Sequence, residues 1–303
     1  MKIIAPPLTT SLSQSRPAFV AGVIQMKMVN EPASNLKKAI ELIHQAADQG
    51  VQVVCLPELF LSPYFCQTLN PQFFNLAEPI PGPTTQALSE VAKTRQIVIV
   101  APIYERVDSR LTYNSAAVID ADGSLLGVYR KMHIPHDPLF EEKYYFAPGD
   151  LGFKCFKTRY GQIGVLICWD QWFPEAARAT ALAGADIIFY PTAIGWHPAE
   201  KAEFGERQRQ SWQLGQQAHG IHNRCFIAAA NRIGHEELVG DGLEFFGHSF
   251  ISGCYGEILT SLDHSVEGVI HTKVDPAWVE QNRRWWPYFR DRRTDAYQDL
   301  LKR

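Results

Sequence analysis

Short runs of nearly continuous apolar residues alternate with stretches whose apolar residues recur every three or four positions, and this alternation restricts the possible folds more than any other feature of the chain. Phe19-Val20-Ala21-Gly22-Val23-Ile24 opens the series. Leu36, Ala39, Ile40, Ile43 and Ala47 follow at helical spacing, in a segment predicted to be capped near Ser34 and stopped by Gly50. Residues 51–56 are again almost all apolar, as in a strand buried on both faces. The unit recurs: Leu88, Val91 and Ala92 mark a helix over 84–95, and 97–101 reads as another buried strand. Strands over 113–119 and 125–129 flank Asp120-Ala121-Asp122-Gly123, a hairpin turn sequence. Beyond these, strands are predicted at 162–167, 187–190, 226–230, 250–252 and 269–274. One helix opens at Pro174 with Glu175 behind it and runs to Gly184, and another covers 206–223. Residues 133–150, with Pro135, Pro138 and Pro148 and no period, read as a loop.

Strands and helices intermixed in this way, with no Gly-, Ser- or Pro-rich linker, predict one α/β domain over 18–276. Residues 1–17 read as a polar tail. Residues 277–303 form an extension rich in charged and aromatic groups (Arg283, Arg284, Trp285, Trp286), too short for a core of its own. It is expected either to pack on a neighbouring subunit or to lie in solvent. A chain of 303 residues with a formal net charge of -3 gives no support for a nucleic-acid or polybasic membrane-surface protein. No apolar run approaches the ~18 residues of a spanning helix. The stretch after Lys2 is broken by Pro6 and Pro7, unlike a secretory signal. The six cysteines contain no C-x-x-C pair, so reduced thiols and a cytoplasmic location are expected.

Three reactive side chains each stand directly after an apolar strand: Glu58, Lys131 and Cys168. Strand ends are where α/β proteins gather catalytic groups. Taken singly, Glu58 reads as a solvated turn residue, Lys131 beside Arg130 as surface charge, and Cys168 as a small buried hydrophobe. Together they suggest more. A Cys at a strand–turn–helix junction sits where a helix dipole favours thiolate. A carboxylate such as Glu58 supplies the base for a thiol of ordinary pKa, about 8.5. Lys131 and the backbone N–H of Trp169 supply donors for an oxyanion. Two histidine pairs, His133-x-x-His136-Asp137 and His219-x-x-His222, have spacings compatible with zinc, although Gly220 interrupts the second and the first lies in a Pro-containing loop. Metal dependence is therefore not expected. No phosphate-cradling or dinucleotide fingerprint is present, and no cofactor is expected.

Leu56-Pro57-Glu58-Leu59-Phe60, Tyr129-Arg130-Lys131-Met132-His133-Ile134-Pro135 and Ile167-Cys168-Trp169-Asp170 resemble, in order, the three signature regions of the nitrilase (carbon–nitrogen hydrolase) superfamily. The resemblance implies a four-layer α-β-β-α sandwich, with Glu58 as general base, Lys131 as oxyanion stabiliser and Cys168 as nucleophile. It also implies a further Glu in the loop after the Lys. Glu142 matches that position, with Glu141 adjacent in Phe140-Glu141-Glu142-Lys143. Cys168-Trp169-Asp170-Gln171-Trp172-Phe173-Pro174-Glu175, Tyr190-Pro191-Thr192-Ala193-Ile194-Gly195 and Phe289-Arg290-Asp291-Arg292-Arg293 are similar to the N-carbamoylputrescine amidase subgroup. That likeness implies hydrolysis of the ureido C–N bond of N-carbamoylputrescine through a cysteine thioester, in a homo-oligomer acting on a small molecule. The alternatives are another N-carbamoyl amine or acid, an aliphatic amide or a nitrile. Plant members of the subgroup carry an acid shortly after that Gly, where this chain has Trp196-His197-Pro198. The expected tail-binding groups are therefore Trp169, Trp196 and Glu200, with Glu203 nearby and Lys201 between the two acids.

Overall fold

The computed structural model describes residues 16–302, so residues 1–15 of the expected tail lie outside the described residues. Arg16, also assigned to that tail, pairs its guanidinium with the buried Asp186 (Nη2 to Oδ1 2.8 Å). The first half of the chain forms β1 (Phe19–Gln25), α1 (Pro32–Asp48), β2 (Val53–Cys55), α2 (Pro83–Arg95), β3 (Val98–Arg106), β4 (Thr112–Ile119), β5 (Leu125–Arg130) and α3 (Glu142–Tyr145). Then come β6 (Cys155–Lys157), β7 (Gln162–Val165), α4 (Pro174–Leu182), β8 (Ile187–Thr192), β9 (Gly195–Trp196), α5 (Pro198–Asn223) and β10 (Phe226–Asn231). The last elements are β11 (Ile233–Glu236), β12 (Leu243–Phe246), β13 (Phe250–Ser252), β14 (Ile258–Ser261), β15 (Gly268–Val274) and α6 (Pro276–Trp285).

Among the described residues the strands make two six-stranded sheets, ordered β15-β1-β2-β3-β4-β5 and β14-β13-β10-β8-β7-β6, and a small sheet β11-β12-β9. The period of two along each strand divides the first sheet between two cores. Ala21, Val23, Val53, Cys55, Val98 and Val100 point toward the second sheet. Ile24, Val54, Leu56, Ile99 and Ala101 point the other way and meet Ala39, Ile43, Leu88 and Val91 of α1 and α2. Helices α4 and α5 cover the second sheet through Ala176, Ala177, Ala181 and Trp212. The layers therefore run α-β-β-α, and the all-apolar strands are buried on both faces as their composition requires.

Several boundaries differ from the sequence reading. Helix α1 starts at Pro32, whose fixed φ suits a first turn, and Ser34 is inside it, donating its hydroxyl to Glu31 at 2.9 Å. Helix α5 starts at Pro198 rather than near 206, because its first turns carry mainly charged and small residues and show no apolar period. The loop over 133–150 contains α3, and β6, β9, β11, β12 and β14 were also missed. These elements are too short to display a period. In the C-terminal extension, α6 is anchored on its own chain: Val279 enters the core and Arg283 donates to Ala185 O at 2.7 Å. Trp285 and Trp286 remain exposed.

Candidate active site

Strands β1, β2 and β3 run parallel in one sheet, as do β7, β8 and β10 in the other. The residues leaving β2 and β7 at their C-terminal ends include Glu58 and Cys168. Lys131 continues β5, its N–H donating to Asn114 O at 2.8 Å on neighbouring β4. The three distant stretches converge, and Glu142, at the start of α3, joins them. Lys131 Nζ donates to Glu58 Oε1 at 2.8 Å and to Glu142 Oε2 at 2.6 Å. Glu58, Lys131 and Glu142 are wholly buried, and Cys168 is 4% exposed. Arg130, the neighbour that made Lys131 resemble surface charge, is instead paired outward with Glu105 (2.6 Å) and Asp150 (2.9 Å). Glu141 faces His136 at 3.1 Å, and it is Glu142 that contacts Lys131.

Two partners escaped the sequence reading. Tyr64 donates its hydroxyl to Glu142 Oε1 at 2.6 Å, and Asn114 donates its amide to Glu58 Oε1 at 2.7 Å. Asn114 left a trace, as an amide inside the otherwise apolar run 113–119; Tyr64, among other aromatics, left none. Glu58 Oε2 is buried without a hydrogen-bond partner among the described residues.

Cys168 adopts φ +42°, a left-handed conformation rare for a side chain other than Gly, at the head of the tight turn Cys168–Trp172. Asp170 pins this elbow. Its Oδ2 accepts from Ile167 N (2.9 Å) and Tyr129 Oη (2.7 Å), and its Oδ1 from His133 N (3.0 Å). His133 Nδ1 lies 2.7 Å from the same Oδ1, with its ring stacked on Phe173, so His133 is used in holding the turn while His136 faces Glu141. His219 is taken up by the Tyr190 hydroxyl at 2.9 Å. Among the described residues, the one trio of close metal-capable side chains is His248, Asp263 and His264, to which neither histidine pair contributes.

The electrostatics correct one sequence expectation. Burial pushes the Cys168 thiol well above its ordinary value, and the charge of Glu58 adds to the rise. That direction favours the thiol over the thiolate. Burial alone would lower the Lys131 ammonium, but the carboxylates of Glu142 and Glu58 hold it well above the lysine range. Burial also pushes Glu142 up, to about 7, against the pull of Lys131.

Cys168 opens on a cavity of about 750 Å³, walled by Trp169, Trp172, Phe140 and Phe204, with Asp137, His197, Glu200 and Arg207 around it. Trp169 and Glu200 therefore stand at the cavity, as the sequence suggested. Trp196 does not: its indole N–H donates to Gly205 O at 2.8 Å and its ring packs on Phe246, because β9 turns it under the first turns of α5. Glu203 is exposed and off the cavity wall, and Lys201 is engaged by Glu244.

A buried thiol, ammonium and carboxylate pair at the strand ends of an α-β-β-α sandwich define the nitrilase class of hydrolases. The family model described as carbon-nitrogen hydrolase matches residues 20–284, and the chain belongs to that family. It is an amidohydrolase acting on carbon–nitrogen bonds other than peptide bonds, and it is similar at about 40% identity to N-carbamoylputrescine amidases and to a citrullinase. An N-carbamoylputrescine amidase of Solanum lycopersicum is 41% identical over 96% of this chain and 97% of the relative. A citrullinase of Francisella tularensis subsp. tularensis is 40% identical over 93% of this chain and 97% of the relative. The crystal structure of a carbon-nitrogen hydrolase from Helicobacter pylori G27 superposes with a TM-score of 0.91 at 41% identity, covering 95% of this chain and 99% of that one. No helix among the described residues is long and apolar enough to cross a membrane.

Proposed function

We propose that the protein hydrolyses the ureido C–N bond of N-carbamoylputrescine, giving putrescine, carbon dioxide and ammonia. The observation that carries this reading is the buried Glu58–Lys131–Glu142 cluster beside Cys168, at a cavity whose aromatic walls bear the acids Asp137 and Glu200. Acids and aromatic faces suit a cationic amine tail. In this mechanism Glu58 Oε2 takes the proton of Cys168 Sγ, and the sulfur attacks the ureido carbonyl carbon. Lys131 Nζ and the Trp169 N–H hold the oxyanion. Glu58 returns the proton to the terminal nitrogen, which leaves as ammonia. Water, deprotonated by Glu58, attacks the thioester and frees Cys168, and the released carbamic acid loses carbon dioxide. The cytoplasmic, homo-oligomeric state expected from the sequence belongs to the same reading; the exposed Trp278, Trp285 and Trp286 support self-association.

A second reading, hydrolysis of citrulline, is favoured by Arg207, a guanidinium at the same cavity that suits an α-carboxylate. Ammonia release from N-carbamoylputrescine, citrulline, N-carbamoyl-β-alanine, an aliphatic amide and a nitrile separates these readings. N-carbamoylputrescine is expected to lead in kcat/KM by about tenfold or more, the scale of one well-placed charge contact. A lead by citrulline establishes the second reading, and a lead by the amide or nitrile overturns both.

The pH profile tests Glu142. Both its oxygens accept hydrogen bonds, from Tyr64 and Lys131, an arrangement that uses the ionised carboxylate. With its pKa pushed up to about 7, ionisation is completed only above neutrality. Activity is therefore expected to fall as pH drops through about 7, and Glu142→Gln is expected to remove that limb while lowering the plateau. Persistence of the limb in the variant assigns it to another group.

A further inference from the structure

The buried groups that the mechanism leaves unused gather at the end of β10. Asn231 and Arg232 are both wholly buried there, on the second sheet, and reach in opposite directions. Asn231 Oδ1 accepts from Ile194 N at 3.1 Å and its Nδ2 donates to Ile194 O at 3.1 Å. Those bonds fix the segment after β8, in which Ala193 O is the acceptor facing Cys168 Sγ at 3.9 Å. Arg232 crosses to the first sheet. Its Nη2 donates to Ser62 O at 2.6 Å and to Leu59 O at 3.4 Å, in the loop that starts at Glu58. Glu236, 3.6 Å from Arg232 Nη1, accepts from Tyr64 N at 2.5 Å through its other oxygen, and Tyr64 in turn holds Glu142. Leu59 lies at φ +50°, a strained turn that something must hold.

We propose that Asn231 and Arg232 are positioning residues that set the reach between Glu58 on one sheet and Cys168 on the other, with Glu236 locking the same loop to Tyr64. The two reacting groups belong to loops on different sheets, and this dipeptide hydrogen-bonds the loop of Glu58 and the segment after β8 that faces Cys168. A buried ion pair is a poor source of stability, since apolar groups of similar volume often replace one at little cost. Its cost is accounted for if it fixes geometry, because misplacing reacting groups by about 1 Å can cost on the order of 100-fold in rate.

The proposal rests on the Glu58–Cys168 reading above, so its test includes a measurement that needs no substrate. Arg232→Met combined with Glu236→Leu removes both charges and keeps the volume. The variant is expected to melt within a few degrees of the parent. Its kcat is expected to fall roughly 10- to 100-fold, with KM within about twofold. Iodoacetamide alkylation of Cys168, located by peptide mass spectrometry, is expected to slow by a similar factor near neutral pH. The difference should close at high pH, where hydroxide replaces Glu58 as the base. Arg232→Lys, which keeps the charge but loses the planar fork, gives the same split should the double variant fail to fold. A folded variant whose kcat and alkylation profile both match the parent overturns the proposal. Alkylation that responds as expected, in an enzyme that turns over no ureido compound, upholds the clamp and rejects the substrate reading instead.

Discussion

Cys168→Ala is expected to lower turnover by on the order of 10⁴-fold or more, the scale seen when a nucleophile is removed from a unit that acts together. The fold should survive. Cys168 is a small buried side chain whose sulfur makes one long hydrogen bond among the described residues, to Ala193 O at 3.9 Å, and the elbow beneath it is held by Asp170. A melting temperature close to the parent's, together with lost ammonia release, is the expected pair of results. In the parent, rapid quenching during turnover followed by peptide mass spectrometry is expected to find the acyl adduct on Cys168. An adduct on another cysteine, or substantial activity in the alanine variant, removes Cys168 from the mechanism.

Lys131→Met is expected to damage both activity and stability. The ammonium lies between two wholly buried carboxylates, 2.8 Å from Glu58 and 2.6 Å from Glu142. Removing one partner of a buried charge cluster leaves the others uncompensated, a loss of about 3–5 kcal/mol. The oxyanion donor goes with it, worth on the order of 10²–10³ in rate. Lys131→Met, Glu142→Gln together should recover part of the stability, because one carboxylate is then neutral, but should recover no activity. Urea unfolding and ammonia release measured on the same preparations check both halves. A Lys131→Met protein as stable as the parent would show that the carboxylates are already neutral in the resting enzyme.

The α/β class and the strands that run parallel in both sheets were legible because their residues are nearly all apolar, a pattern suited to strands covered on both faces. Glu58 and Cys168 stood out because each follows such a strand, and Lys131 because it directly follows β5, an antiparallel edge strand. Tyr64 was not, since its place depends on a loop held by Arg232, just after β10, and Glu236 of β11. Trp196 misled for a related reason. Its position after Gly195 is near the cavity in sequence, but β9 rotates the ring beneath α5, and which way a residue faces in a two-residue strand is set by its partner β12. The dipole read at Cys168 favours thiolate, whereas burial, unreadable from the sequence, pushes the thiol the other way.

The pairing of β1 with β15, Phe19 opposite Val274 through Gln25 opposite Gly268, has a consequence for biogenesis. β1 leaves the ribosome some 240 residues before its antiparallel neighbour. Until then one flank of an almost wholly apolar strand stays open to wrong partners. The first sheet can be completed only after β15 has been synthesised, so truncated nascent products ending before Gly268 should depend on chaperones and be prone to aggregation.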